Sequence, residues 1–379
     1  MREKEMIDRM QQNLKIPDIV RQKAGEAFQK IQSEGSKSDE DKKVVSIRPY
    51  KRKRKAWWVA AAAVVFALGT MTAGAAYIHW SKGLEVKFQA TEEQKRLLEE
   101  NQFTELLGQN NSVTSKGVTI TAEQSIADSR FAWLSFKIEG YEPEEGKDPL
   151  FNFTTISVEG EGKPMISYSG SFYNGLYYDE DKGFLYEDGT PAAKDADGNI
   201  IKRYVDDDGS MEYMIVVDYT SHNLIGKTLH VTFQDLGVTD INHIYTVDLE
   251  AKWELTIDLK GSEEVRSMEL SAPLGETGVI VTYAEISPVS LYVNYNFPIR
   301  KEDIPGLVGV RLKDGTLLTD ITGAGSIGFL GGNGGAYTES FAMNHILETE
   351  EVDALLFLKS DPGGRNKLTE ENLYIVPIE

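Results

Sequence analysis

The chain has no cysteine among its 379 residues. That absence excludes a disulfide framework, a thiolate zinc site, an iron–sulfur cluster and a cysteine nucleophile. Histidine is nearly as scarce. His79, His222, His230, His243 and His345 are dispersed, and neither HExxH nor GxSxG occurs, so a zinc-protease helix and a serine-hydrolase elbow have no foothold. Positive charge is outnumbered, 40 Lys and Arg against 60 Asp and Glu, for a formal net charge of −20. Such acidity argues against a nucleic-acid binder. No residue is assigned a catalytic, cofactor-binding or metal-binding role, and the chain is not expected to be an enzyme.

The average charge conceals a split. Residues 1–55 carry 16 basic and 9 acidic side chains, and the remainder is left at about −27. The join is a basic run, Lys51, Arg52, Lys53, Arg54 and Lys55, that leads directly into Ala56–Trp80, a stretch without Asp, Glu, Lys or Arg. As a helix these residues reach about 37 Å, enough for a hydrocarbon core of about 30 Å. Trp57 and Trp58 stand at one end, Tyr77 and Trp80 at the other, as amphipathic rings do at the two interfaces of a spanning helix. The positive-inside rule then puts the N-terminus in the cytoplasm and residues from about 81 outside. A buried core helix would rarely run so long uncharged. A cleaved signal peptide ending at Ala73-Gly74-Ala75 would need a charged leader of about 55 residues, far beyond the usual n-region.

Residues 1–34 read as amphipathic helices and 35–55 as a polar, basic tether. Pro17 suits a first helical position and Gly35 a stop. Ile16, Val20, Ala24, Phe28 and Ile31 form one apolar stripe. Too few residues lie here to build a core, so the stripe must be covered by a membrane surface, a partner, or its own neighbour. The mixed charge of the other face weakens the membrane option and favours a helix-in-groove contact with a cytosolic protein.

Beyond residue 80, Thr91–Leu107 reads as one helical stretch and most of the rest as strands. Leu134, Phe136 and Ile138 alternate with polar residues, as do Leu229, Val231 and Phe233, then Trp253, Leu255, Ile257 and Leu259, then Leu291, Val293, Tyr295 and Phe297. Asp-Gly pairs at 188–189, 197–198, 208–209 and 314–315 mark hairpins. Gly117–Ile138 is loosely echoed by Gly278–Phe297. The fold class expected is a mainly β ectodomain of two tandem immunoglobulin-like β-sandwiches, 81–260 with a short leading helix and 261–379, plus one transmembrane helix at 56–80 and a short helical cytoplasmic segment.

Two patterns imitate sites. Gly323-Ala324-Gly325-Ser326-Ile327-Gly328 spells GxGxxG, but no helix is expected after it, so it reads as a flexible loop rather than a dinucleotide fingerprint. Asp195, Asp197 and Asn199 begin like a calcium loop, yet Gly198 falls at the fourth position and no Glu closes the twelfth; an acidic hairpin tip is the simpler reading.

The order of short helical segment, basic stop, single span and all-β exterior resembles the membrane-anchored anti-sigma factors of Gram-positive bacteria whose exteriors carry a "domain of unknown function" label. GVTITAEQSIADSRFAWLSFKIEGYE from Gly117 is similar to that family's pattern, and Ile16–Ile31 to its cytoplasmic start. The zinc-binding class of these regulators uses a His and two Cys, so the resemblance implies the zinc-free kind. It also implies that the stripe holds an extracytoplasmic-function sigma factor, that the exterior answers to envelope stress, and that release comes by conformational change or by membrane and intramembrane proteases, without direct nucleic-acid contact. Gly69, Thr70, Thr72 and Gly74 would ease unwinding of the outer half of the span, although small residues also serve helix packing. The rival reading is an envelope-surface binding or structural protein whose N-terminal segment is only an anchor.

Overall fold

The computed structural model describes residues 80–108, 111–160, 166–179, 182–219, 223–297, 305–319, 325–330, 335–360 and 368–378. It is mainly β, led by two short helices, α1 (Lys82–Phe88) and α2 (Glu92–Glu100). Thr91 starts α2 with a capping box, its hydroxyl accepting from the Gln94 N–H while the Gln94 side chain accepts from the Thr91 N–H. The helix ends sooner than the pattern from Thr91 to Leu107 predicts. Gln102 takes a left-handed φ of 61°, its N–H donates to Glu99 O, and the Phe103 N–H donates to Leu98 O at 2.8 Å. Those two bonds make a Schellman stop. The position usually held by glycine carries glutamine here, which is why the stop was not legible. Thr104–Leu106 is accordingly a strand, not helix.

Strands then come in two groups. The first comprises β1 (Thr104–Leu106), β2 (Ser112–Ser115), β3 (Val118–Ala127), β4 (Phe131–Glu139), β5 (Asp148–Val158), β6 (Ser167–Phe172), β7 (Leu176–Asp179), β8 (Gly183–Tyr186), β9 (Met211–Asp218), β10 (Thr228–Thr239) and β11 (Tyr245–Asp258). The second comprises β12 (Arg266–Pro273), β13 (Ile280–Ile286), β14 (Ser290–Phe297), β15 (Leu307–Leu312), β16 (Leu317–Leu318), β17 (Gly325–Leu330), β18 (Gly335–Ala342), β19 (Val352–Leu358) and β20 (Leu373–Pro377).

The two groups share one topology. The first forms a sheet in the order β1-β3-β4-β9-β6, with β2 also on β3, and a sheet β11-β10-β5; the second forms β12-β13-β14-β18-β17 and β16-β15-β19-β20. Taken in chain order, β1, β3, β4, β5, β6, β9, β10 and β11 correspond to β12, β13, β14, β15, β17, β18, β19 and β20. All these pairings are antiparallel. The first repeat adds β2 and the hairpin β7–β8, the second adds β16. In the first, Leu134, Phe136, Ile215 and Val217 of one sheet meet Phe151, Val231, Phe233, Trp253 and Ile257 of the other. In the second, Val281, Leu291, Val293 and Tyr295 meet Val310, Leu355, Phe357 and Val376. Full burial of each such side chain contributes about 1.5–3 kcal/mol before conformational entropy is charged against it. The period-two runs of the sequence lie on the inner faces: Leu229, Val231 and Phe233 are buried, and Trp253, Leu255 and Ile257 are buried while Glu254, Thr256 and Asp258 are exposed.

The Asp-Gly pairs close hairpins of one kind. Gly189, Gly198, Gly209 and Gly315 each have positive φ, and each N–H donates three residues back, to Tyr186, Asp195, Asp206 and Leu312. A fifth turn has the same bonds without glycine: the His243 N–H donates to Asp240 O, Asp240 N–H to Ile244 O, and His243 sits at φ 60°. The calcium-like residues belong to such a turn. Asp195 Oδ1 accepts from the Asp197 and Asn199 N–H groups at 2.9 and 2.8 Å, and Asp195 Oδ2 from Asn199 Nδ2. The glycine-rich pattern departs from expectation: Gly325–Leu330 is strand β17, paired antiparallel to β18, not a loop, and no βαβ unit surrounds it among the described residues.

Candidate functional site

Most of the residues read from the sequence as functional lie outside the described residues: Ile16, Val20, Ala24, Phe28 and Ile31, the run Lys51–Lys55, and Trp57, Trp58 and Tyr77. The apolar run does too, apart from its last residue. Among the described residues no helix is long and apolar enough to cross a membrane.

Trp80 is described, and its assignment as a membrane-interface aromatic is corrected. It is 2% exposed and packs inside the protein with Leu84, Phe88, Leu98, Phe103, Ile126, Phe131, Trp133 and Val216. Its ring meets Phe88 edge-on at 6.3 Å, and Phe88 meets Trp133 at 5.7 Å. A tryptophan at the end of an apolar run satisfies two patterns, the interfacial ring and the first core residue of the adjoining β-rich part; here the second holds.

Two polar side chains of the first repeat fasten the backbone just after it. The Ser81 N–H donates to Gln124 Oε1 at 2.8 Å, and Gln124 Nε2 donates to the Thr104 hydroxyl at 2.9 Å. The Gly83 N–H donates to Glu212 Oε2 at 2.7 Å, and the Ser135 hydroxyl to Glu212 Oε1 at 2.7 Å. These serve donors that the first turn of a helix leaves without intrahelical partners. A Cβ at Gly83 would lie 2.7 Å from Met214 Sδ and 2.8 Å from Glu212 Oε1, so a larger residue there would have to push those two side-chain ends aside. Lys82 extends the hold outward, to Asp206 at 2.8 Å and Glu187 at 3.7 Å. Lys95 of α2 is 2.5 Å from Glu85 of α1.

The clamp carries unusual carboxyls. Burial pushes Glu212 upward from its ordinary value, against the bonds from Gly83 and Ser135 that favour its charged form. Burial, then the charge of Glu212, pushes Glu123 up to about 7. Asp208 goes the other way: hydrogen bonds from Lys137 and Ser210 hold it well below the usual carboxylate range. Among the described residues no group of three His, Asp or Glu could hold a metal ion. What the arrangement does is grip a segment: it fixes the chain at the point where it leaves the apolar run.

The alternating runs assign one buried face to each strand and so miss Gln124, Glu212 and Trp133. The signal for Trp133 and Glu212 lies in β4 and β9, whose FAWLSF and MEYMIVVD are apolar with little alternation. Strands covered on both faces read that way, and the second cover is α1.

Residues 50–140 match the family model described as "Domain of unknown function (DUF4179)". The chain carries a DUF4179 domain. That match runs from the basic run through the apolar stretch and the clamp to the end of β4, so it places the leading segment and the first hairpin inside one family unit. No curated protein matches the chain. Among solved structures, "The crystal structure of the conserved domain protein from Bacillus anthracis" is similar at 14% identity and a TM-score of 0.40, over 74% of this chain and 91% of that one.

Proposed function

We propose that the chain is a single-pass membrane anti-sigma factor, with its N-terminus in the cytoplasm and its β-rich part outside. In this reading Ile16, Val20, Ala24, Phe28 and Ile31 cover a groove on an extracytoplasmic-function sigma factor that RNA polymerase otherwise uses. Lys51–Lys55, Trp57, Trp58 and Tyr77 seat the span in lipid. The exterior is two tandem immunoglobulin-like β-sandwiches, a reading that the common strand order of the two repeats supports.

The observation that carries the proposal is the seat of Trp80. Trp80, the last residue of the apolar run in the sequence, is already a core residue of the folded part. A mere anchor has no need of so direct a join. A sensor does, because a rearrangement that loosens the clamp on Ser81 and Gly83 alters the end of the span at once.

The test is a pull-down of the full chain with the extracytoplasmic-function sigma factor encoded beside it, together with a reporter for that factor's promoter. Phe28→Ala removes the aromatic of the stripe and is expected to weaken binding about tenfold or more and to raise reporter output without stress. Gln29→Ala, on the opposite face, is expected to change neither. Equal behaviour of the two variants would exclude the stripe as the contact. Absence of sigma-factor binding by the parent would leave the envelope-binding reading in its place.

A further inference from the structure

The loose sequence echo has a structural counterpart in two hairpin corners. In the first repeat Asp128, Ser129, Arg130 and Phe131 join β3 to β4; in the second Ser287, Pro288, Val289 and Ser290 join β13 to β14. The Asp128 N–H donates to Phe131 O, as the Ser287 N–H does to Ser290 O. Asp128 Oδ1 accepts from the N–H groups of Arg130 and Phe131, both at 2.8 Å. Ser287 Oγ likewise accepts from those of Val289 and Ser290, at 3.1 and 2.9 Å. The Tyr219 N–H donates to Arg130 O, and the Met343 N–H to Val289 O. These equivalent corners touch. Asp128 Oδ2 accepts from both the Ser287 and the Ser290 hydroxyls, Arg130 pairs with Glu285 at 2.7 Å, and the Arg130 guanidinium lies 3.6 Å over the Tyr292 ring.

The same corners floor the seat of the leading segment. Phe131 of the first and Val289 of the second belong to the apolar cluster of Trp80, Leu84, Phe88 and Leu98, with Ala342 and Ile346 of the second repeat. Gln94 Nε2 donates to Ile346 O at 3.1 Å. The segment is therefore held by both repeats at the place where they are pinned to each other.

We infer that parting of the two repeats and release of the leading segment are one cooperative event, with Asp128 as the pin. Asp128 is 1% exposed and accepts four hydrogen bonds, two from each repeat. Withdrawal of Ser287 and Ser290 leaves Oδ2 of a buried carboxylate without its two donors, which is costly. The joint is thus stable closed or fully opened to water, and unstable between. Opening moves Val289, and with it one wall around Trp80 and Phe88, so a force or ligand on the second repeat reaches Gly83 without touching it. This coupling depends on the fold alone and is separate from what the cytoplasmic segment binds.

The experiment is amide hydrogen exchange of the full chain in detergent across a denaturant series. In the parent, amides of residues 83–89 and of Val289 and Ser290 are expected to share one opening equilibrium and one denaturant slope, as members of one cooperative unit do. Ser287→Ala with Ser290→Ala is expected to speed exchange in residues 83–89 roughly tenfold or more, since hydrogen bonds to a charged group are lost. Arg311→Met, which breaks the 2.9 and 3.0 Å pair with Asp353 elsewhere in the second repeat, is expected to leave residues 83–89 unchanged. Separate openings in the parent would overturn the coupling, and that measurement needs no variant to fold. So would faster exchange confined to the corner in the double variant, or equal acceleration of residues 83–89 by the Arg311 change.

Discussion

Glu123 carries a carboxyl raised to about 7, first by its own burial and then by the neighbouring charge of Glu212. Lys137 and Glu139 on β4, and Asp208 in the turn before β9, also act on it, Lys137 against the shift and the two acids with it.

That pair makes stability depend on pH. A carboxyl whose folded value lies above its unfolded one binds its proton more tightly in the native state. Its contribution is therefore complete below about pH 4.5 and is lost as pH rises through about 7. Glu212, raised as well, acts in the same sense. The denaturation midpoint is expected to fall between pH 5.5 and 8, and Glu123→Gln to remove most of that slope, a change of no more than about 3 kcal/mol. Asp208 works in the opposite direction and in another window: its contribution is present above about pH 4 and is lost on further acidification. A flat profile from pH 5.5 to 8 in the parent would contradict the burial of Glu123.

Trp80→Ala discriminates a core residue from a lipid-facing one. Removing a buried tryptophan costs about 3–5 kcal/mol, so urea unfolding of the full chain is expected to shift markedly to lower denaturant. An indole resting in lipid would leave the unfolding of the β-rich part almost unmoved.

Glu212→Ala strips the Gly83 N–H and the Ser135 hydroxyl of their acceptor. The expected loss is about 2 kcal/mol or more, the desolvation cost of donors left unpaired. Glu212→Gln keeps an acceptor oxygen and removes a charge that burial disfavours, so it is expected to cost much less, above all near pH 8. Chemical denaturation at pH 6 and 8 reads both variants, and a glutamine variant as weak as the alanine one would refute the assigned role.

His243→Gly is expected to stabilise the chain by about 0.5–1 kcal/mol. Histidine at φ 60° bears a left-handed penalty that the glycines of the four sister turns avoid, and part of the gain is offset by the greater freedom of an unfolded glycine. Thermal unfolding reads the difference; a loss of stability would mean that the imidazole makes a contact that outweighs the backbone.

The inner faces of the strands were legible because burial on one side imposes period two, as Leu229, Val231 and Phe233 show. The hairpin pair at Gly117–Ile138 and Gly278–Phe297 was legible as an echo, but the equivalence of the full strand orders was not, because it rests on pairings distant in sequence. The end of α2 was hidden by Gln102 in a glycine's place. Trp80 was misassigned because amphipathic aromatics suit either environment. Glu212 and Gln124 were invisible for a further reason: a polar residue on the outer face of a strand looks solvent-bound until a helix is known to cover that face.

Equivalent positions of the two repeats meet at Asp128 and Ser287, as matching residues do beside the axis of a symmetric dimer. In a dimer of identical chains that axis sets like against like, so a carboxylate there faces a second carboxylate. Joining the two copies in one polypeptide lifts the restriction. One side can keep the acid and the other supply hydroxyls, and a junction that symmetry would make repulsive becomes a complementary lock.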